Sequence, residues 1–248
     1  LLYYIMKSNR QLFFDKVKFN RRGDHPDSYL ITEKVENYFP TKSLLRYIDS
    51  DFHYISNYQG NINYQVNFGS LTNFLKLSTL TQTINSQNNI LQIDLVEKFL
   101  TIPILPNTEL KHLNCQILNN TDYFVLDTPE PICQTIMNFG ETYATNYILN
   151  DKYGMYLESH TTPHIHMPLT PLSKGIIILG ISDSFNNLYL GAFRIPMGKA
   201  LYTPPNIIHN DCYLNGLYRV FYTISHFYQK IVIKNINLDT FMFKFIEK

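Results

Sequence analysis

Four of the eight histidines of this 248-residue chain fall between Gly154 and His209. His160, His164 and His166 are packed into GMYLESHTTPHIHMPL, and His209 closes LYLGAFRIPMGKALYTPPNIIHND. Imidazole suits zinc, iron, nickel and copper, and three protein ligands leave a position for water or substrate. Side chains two apart on a β-strand share a face, so the HIH triplet aims His164 and His166 at one point. Glu158 stands two residues before His160, on the same face of an extended segment, and offers a carboxylate. The candidate metal ligands are His164, His166 and His209, a set that Glu158 or His160 would extend. The expected cofactor is a divalent ion (zinc, iron, nickel or manganese), the alternative being none.

His209 is far from the triplet in sequence, so its ring reaches the others only if the sheet curls back on itself. The flanking sequence has the means. KGIIILGISD and NLYLGAFRIP read as strands around an SFNN turn, and GLYRVFYTISHF, KIVIKNINL and DTFMFKFIEK continue the pattern. Turn signals recur about every ten residues, as in a sandwich or barrel. FLTIPILP is a strand whose prolines suit an edge or an end, and NTELKHLNCQIL starts a helix at Asn107 or Thr108, with Leu110, Leu113 and Ile117 on one face. Upstream, YISNYQGNINYQVNFGS and LKLSTLTQTINSQNNILQIDL read as antiparallel strands, while TKSLLRYIDSDF reads as a short helix. The expected fold is mainly β: a jelly-roll type barrel over residues 98–248, preceded by a strand-rich segment, residues 1–97, that contains a short helix and serves as a partial second barrel, a dimerisation arm or a lid.

Composition narrows the function classes. The formal charge of +1 gives no field to attract nucleic acid or an anionic membrane. Aromatic residues make up 15% of the chain and include no Trp; this Tyr and Phe content favours sheet over helix. Cys115, Cys133 and Cys212 lack CxxC spacing, which argues against a thiolate zinc site or a disulfide framework and for a reducing compartment. No apolar run is long enough to span a bilayer, so the sequence reads as soluble and cytoplasmic, with no membrane partner. Arg22 to Asp24 spell RGD, which in this context reads as a turn.

With GMYLESH, HIH, GIIILG and PPNIIH in order, the segment resembles the cupin superfamily. Gly154 lies six residues before His160, His164 and His166 form the HxH, Gly198 lies six before Pro204, and Pro204 lies five before His209. It departs from the pattern in lacking the Glu after HxH and in having Asn206 where a Gly is usual. Over about residues 99–228 it is most similar to the ureidoglycolate lyase family, on the strength of FLTIPILPNTELKHL, LESHTTPHIHMPL and GAFRIPMGKALYTPPNIIH. That resemblance implies a pocket with Glu158, His160, Tyr202 and His209. In that family the His164 position is usually Gln and the His166 position an aromatic.

The resemblance implies a lyase that cleaves a ureido hydroxy acid at its C–N bond, releasing glyoxylate and urea. His160 or His209 would act as base, with Glu158 as acid or orienter. Arg194 and Lys199 flank the second motif and are candidates for binding a substrate carboxylate, against the plainer reading of solvated loop charges. Two other classes remain open: a metal-dependent dioxygenase or sugar isomerase on the same scaffold, and a non-catalytic barrel that binds a small ligand or partner chain. The expected partners are a small-molecule substrate and a second copy of the chain, as a homodimer. Cys212 reads as a buried thiol, His112, His226, His25 and His53 as structural or surface residues, and Tyr147, Tyr156 and Phe193 as core.

Overall fold

A computed structural model describes residues 30–60, 68–78, 82–85, 90–128, 132–140, 144, 155–185, 187–223 and 228–248. The RGD turn, His25, Tyr147, Gly154 and His226 lie outside the described residues. The architecture is mainly β. The strands before residue 98 are β1 (Leu30–Phe39), β2 (Lys42–Ile48), β3 (Asp51–Asn57), β4 (Leu75–Leu77), β5 (Gln82–Asn85) and β6 (Ile90–Ile93). Those after it are β7 (Phe99–Ile104), β8 (Gln116–Leu118), β9 (Tyr123–Asp127), β10 (Ile132–Phe139), β11 (Tyr156–His160), β12 (His164–Pro168), β13 (Lys174–Ser182), β14 (Leu188–Phe193), β15 (Ala200–Thr203), β16 (Ile208–Thr223), β17 (Tyr228–Lys234) and β18 (Met242–Glu247). No helix among the described residues is long and apolar enough to cross a membrane.

The long strand β16 joins two sheets. Its first half pairs with β13 and, through His209, with β11; its second half pairs with β10 and β12. One sheet therefore runs β1-β10-β16-β12-β15-β8, and the other runs β18-β7-β14-β13-β16-β11-β17-β6-β5, with β4 also on β14. Asn215 is the last residue paired with β13, and Gly216 is the first paired with β10. Gly216 has φ +94°, and a Cβ there would lie 2.8 Å from Ser173 Cα. Only glycine meets both conditions at this crossing. The described pairings form an open, branched path rather than a closed ring.

Between the two sheets lies a core in which Ile177, Leu179 and Leu214 meet Phe139, Leu201 and Val220. A third sheet, β3-β2-β9, covers the outer face of the β10-β16-β12 layer. There Leu45, Phe52 and Phe124 pack on Ile165, Met167 and Phe221, with the Phe52 and Phe221 rings 4.7 Å apart edge to face.

The short helix expected in TKSLLRYIDSDF is instead the hairpin β2-β3. Ser43, Leu45 and Tyr47 are buried at every second residue, a strand period rather than a helical one. Ile48 pairs with Asp51 across a two-residue turn, Asp49 and Ser50, whose φ values of 48° and 69° are both left-handed. That is the turn type whose twist suits a hairpin. The expected helix at Asn107 is present as a 3-10 helix, Asn107–Leu113, with Leu110 and Leu113 buried. It starts at Asn107, one of the two expected positions, after Pro106, while Ile117 belongs to β8 rather than to the helix. Pro103 falls near the end of β7, in keeping with its lack of an N–H.

Strands from the first 97 residues pair with later ones: β1 with β10, β2 with β9, β4 with β14 and β6 with β17. Of the strands before residue 98, β1, β4, β5 and β6 belong to the two sheets that carry the histidines, while β2 and β3 join β9 in the third sheet.

The β16 crossing makes a stability prediction. Gly198 also has a positive φ, +73°, but an added Cβ would meet nothing within 4 Å. Gly198→Ala should cost about 1 kcal/mol from backbone strain alone, whereas Gly216→Ala, with strain and a backbone clash, should cost roughly 2–3 kcal/mol. Urea midpoints of the two variants check the order.

Candidate metal centre

Three strands each bring two polar side chains to the space between the sheets. On β11 these are Glu158 and His160, on β12 His164 and His166, and on β16 His209 and Asp211. Each pair is separated by one residue, so each shares a strand face. The pairings orient them inward. His209 lies opposite Leu179, and His166 lies opposite Leu201 and Val220, all residues of the core between the sheets. The intervening Ile165 faces the other way, into the layer covered by β3-β2-β9.

His160, His164 and His209 converge: one ligand nitrogen from each lies within 4.8 Å of the others. Their ring centres are 4.1 Å (His160–His164), 4.8 Å (His164–His209) and 4.9 Å (His160–His209) apart. Ligand atoms at ~2.1 Å from a tetrahedral ion stand roughly 3.4 Å from one another, so the trio, with ligand nitrogens within 4.8 Å, is close to that spacing. A tight loop sets it up. Residues 161–163 carry the chain from β11 to β12, and Asn206 N–H donates to His160 O at 2.8 Å, tying the turn before His209 to the end of β11. Asn206 has a φ of 65°, and Asn tolerates the left-handed region better than most residues.

Backbone carbonyls orient two of the rings. His160 Nδ1 lies 2.6 Å from Thr162 O, and His209 Nδ1 lies 3.0 Å from Ile207 O. A carbonyl only accepts, so each Nδ1 carries the proton and Nε2 is the nitrogen through which each ring could ligate an ion; metal-binding histidines are usually held this way. Glu158 lies directly opposite His209 in the β11–β16 register, with Oε1 3.4 Å from His209 Nε2. This exceeds a charge-assisted hydrogen bond of about 2.8 Å and matches the spacing of two ligands on one ion.

From the sequence, His164, His166 and His209 are the expected ligands, with His160 or Glu158 as an addition; the trio whose ligand nitrogens lie close enough to share an ion is His160, His164 and His209. His166 sits one step further along β12, fully buried, with Nε2 3.5 Å from Asp211 Oδ2 and its ring 5.6 Å from that of His164. Asp211 was not among the expected site residues. The signal for it was available: it follows His209 by two on a strand.

The three residues expected to bind substrate are elsewhere. Tyr202 pairs with Ile165 and shares its outward face, packing near Phe124 at 6.2 Å between ring centres. Arg194 is held by Glu247 at 2.6 Å on the surface, beside a pocket of about 820 Å³ that Lys174 and Ile195 also line. Lys199 Nζ donates to Asn119 Oδ1 on the exposed side. Cys212 faces away from the cluster and is not among the converging ligand atoms; it is buried, with Sγ 2.7 Å from Asn210 Oδ1, and burial raises its thiol pKa. His53 is exposed, and His112 sits 3.7 Å from Glu109, as structural readings expect.

Comparison with protein-family models, curated proteins and solved structures finds no match to this chain.

His209 has its proton affinity raised. Burial alone would lower it, but Glu158, through contact and charge, together with the Ile207 carbonyl and the Asp211 charge, outweighs burial. A pKa above the unfolded value means that stabilisation is fully present below about 6.5 and is lost as pH rises through the folded value. In metal-free protein, Glu158→Gln should therefore lower the melting temperature most near pH 6 and progressively less on the alkaline side, as followed by thermal melts across pH.

Proposed function

We propose that this chain is a metal-dependent enzyme on a cupin-like scaffold of two curled sheets, with His160, His164 and His209 holding one divalent ion and Glu158 completing the set or moving a proton. The observation that carries this reading is the convergence of three imidazoles from β11, β12 and β16, two of them oriented by backbone carbonyls.

The reaction we favour is that of the ureidoglycolate lyase family, cleavage of a ureido hydroxy acid to glyoxylate and urea. Three of the four residues implied by that resemblance, Glu158, His160 and His209, lie together, while Tyr202 faces away. A divalent ion at the trio would supply Lewis acidity, lowering the pKa of the substrate hydroxyl. With the imidazoles committed to holding it, Glu158 is the proton carrier. It takes the hydroxyl proton as the C=O bond forms, the C–N bond breaks, and the same proton passes to the departing urea nitrogen.

A second reading rests on His164. The lyase family usually has Gln there, and a third imidazole beside a carboxylate suits ferrous iron with positions open to oxygen. Iron-loaded protein that consumes oxygen would select this reading over the lyase.

Metal analysis of the purified full chain tests the common core. About one divalent ion per chain is expected; His209→Ala and His164→Ala should lose it, and His166→Gln should keep the stoichiometry. The lyase assignment requires glyoxylate from ureidoglycolate, abolished by Glu158→Gln. A chain that takes up no metal, or that loses it equally in His166→Gln, would overturn the centre.

A further inference from the structure

The buried pair behind the trio points to a further role. His166 and Asp211 are at most 1% exposed, 3.5 Å apart, and lie on the same two strand faces as His164 and His209. Burying two charged or polar groups is costly, and an apolar pair of similar volume would serve a purely structural purpose at least as well. The polar choice is localised: Leu201 and Val220, opposite His166, and nearby Phe139 are all apolar.

Charge balance supplies the reason. Three neutral imidazoles leave a divalent ion with two uncompensated positive charges in a low-dielectric interior, and Glu158 cancels only one. Asp211 stands two residues from His209 on the same face, with a carboxylate oxygen 3.5 Å from His166 Nε2; as a carboxylate beside a neutral His166 it would supply the second negative charge. Glu158, Asp211 and a divalent ion sum to zero.

We propose that Asp211, seated by His166, is a charge-balancing positioning residue for the metal centre: it does not ligate the ion but sets the site's affinity for a divalent cation. This rests on the metal-centre reading above. Residues that act on a metal from behind its ligands typically change affinity by about 10–100-fold.

Titration of metal-free full-length protein with cobalt(II) tests it, reading both the dissociation constant and the visible ligand-field spectrum. Asp211→Asn should weaken cobalt binding by about 10–100-fold while the spectrum keeps its wild-type shape, because the ligands are unchanged. The double variant His166→Gln/Asp211→Asn removes the same charge and leaves two amides able to bond each other, so it tests the inference even if the single variant fails to fold. It should show the same weakening. Unchanged affinity in either folded variant overturns the inference, as does a changed spectrum, which would make Asp211 a ligand. Wild-type protein that binds no cobalt fails at the earlier step and sinks the metal centre itself.

Discussion

The passage of β16 from one sheet to the other is the constraint on which the rest depends. A strand confined to one sheet would pair with β13 and β11, or with β10 and β12, but not with all four. Because it serves both, β11 and β12 can end in different sheets yet be joined by only three residues. That short joint places His160 and His164 at the junction, and the start of β16 brings His209 to the same place. Gly216 permits the crossing by accepting a left-handed φ where a side chain would strike the Ser173 backbone.

Alternation along the strands then sorts the chemistry from the packing. On β12 the odd and even positions divide completely: His164 and His166 face the space between the sheets, and Ile165 and Met167 face the outer core. On β16, His209 and Asp211 lie on one face, while Asn210 and Cys212 lie on the other. Asn210 there donates to Tyr156 O at 2.6 Å and clamps β16 to β11 from behind. The polar cluster is thus walled by apolar layers on both sides. Low dielectric strengthens each interaction within it and makes each unbalanced charge costly.

The added layers explain why the first 97 residues matter to a site they do not contain. The β2-β3 hairpin covers the face of β12 opposite the histidines, fixing the strand from its outer side. Arg219, also on β16, has its guanidinium at the Ser50 carbonyl in the hairpin turn and 3.6 Å from Asp51. These contacts link the hairpin to the strand that crosses between the sheets.

The β character, many strand positions and the histidine and carboxylate constellation were legible in the chain, because period-two alternation and turn residues are local properties. The sequence also showed which residues could share a face, including Glu158 with His160 and His164 with His166. It misread the β2-β3 hairpin, whose Asp49–Ser50 turn lacks the Asn-Gly or Asp-Gly signature despite adopting the same left-handed geometry. Which face turned inward, and which histidine met the others, depended on strand pairing across the fold. His160, His164 and His209 come together through the short β11–β12 joint and the β16 crossing, while Tyr202 is carried to the outer face by a one-residue difference in register. Spacing along a strand fixes relative orientation; the distance between strands is set by pairing, and pairing is a long-range choice made by the whole fold.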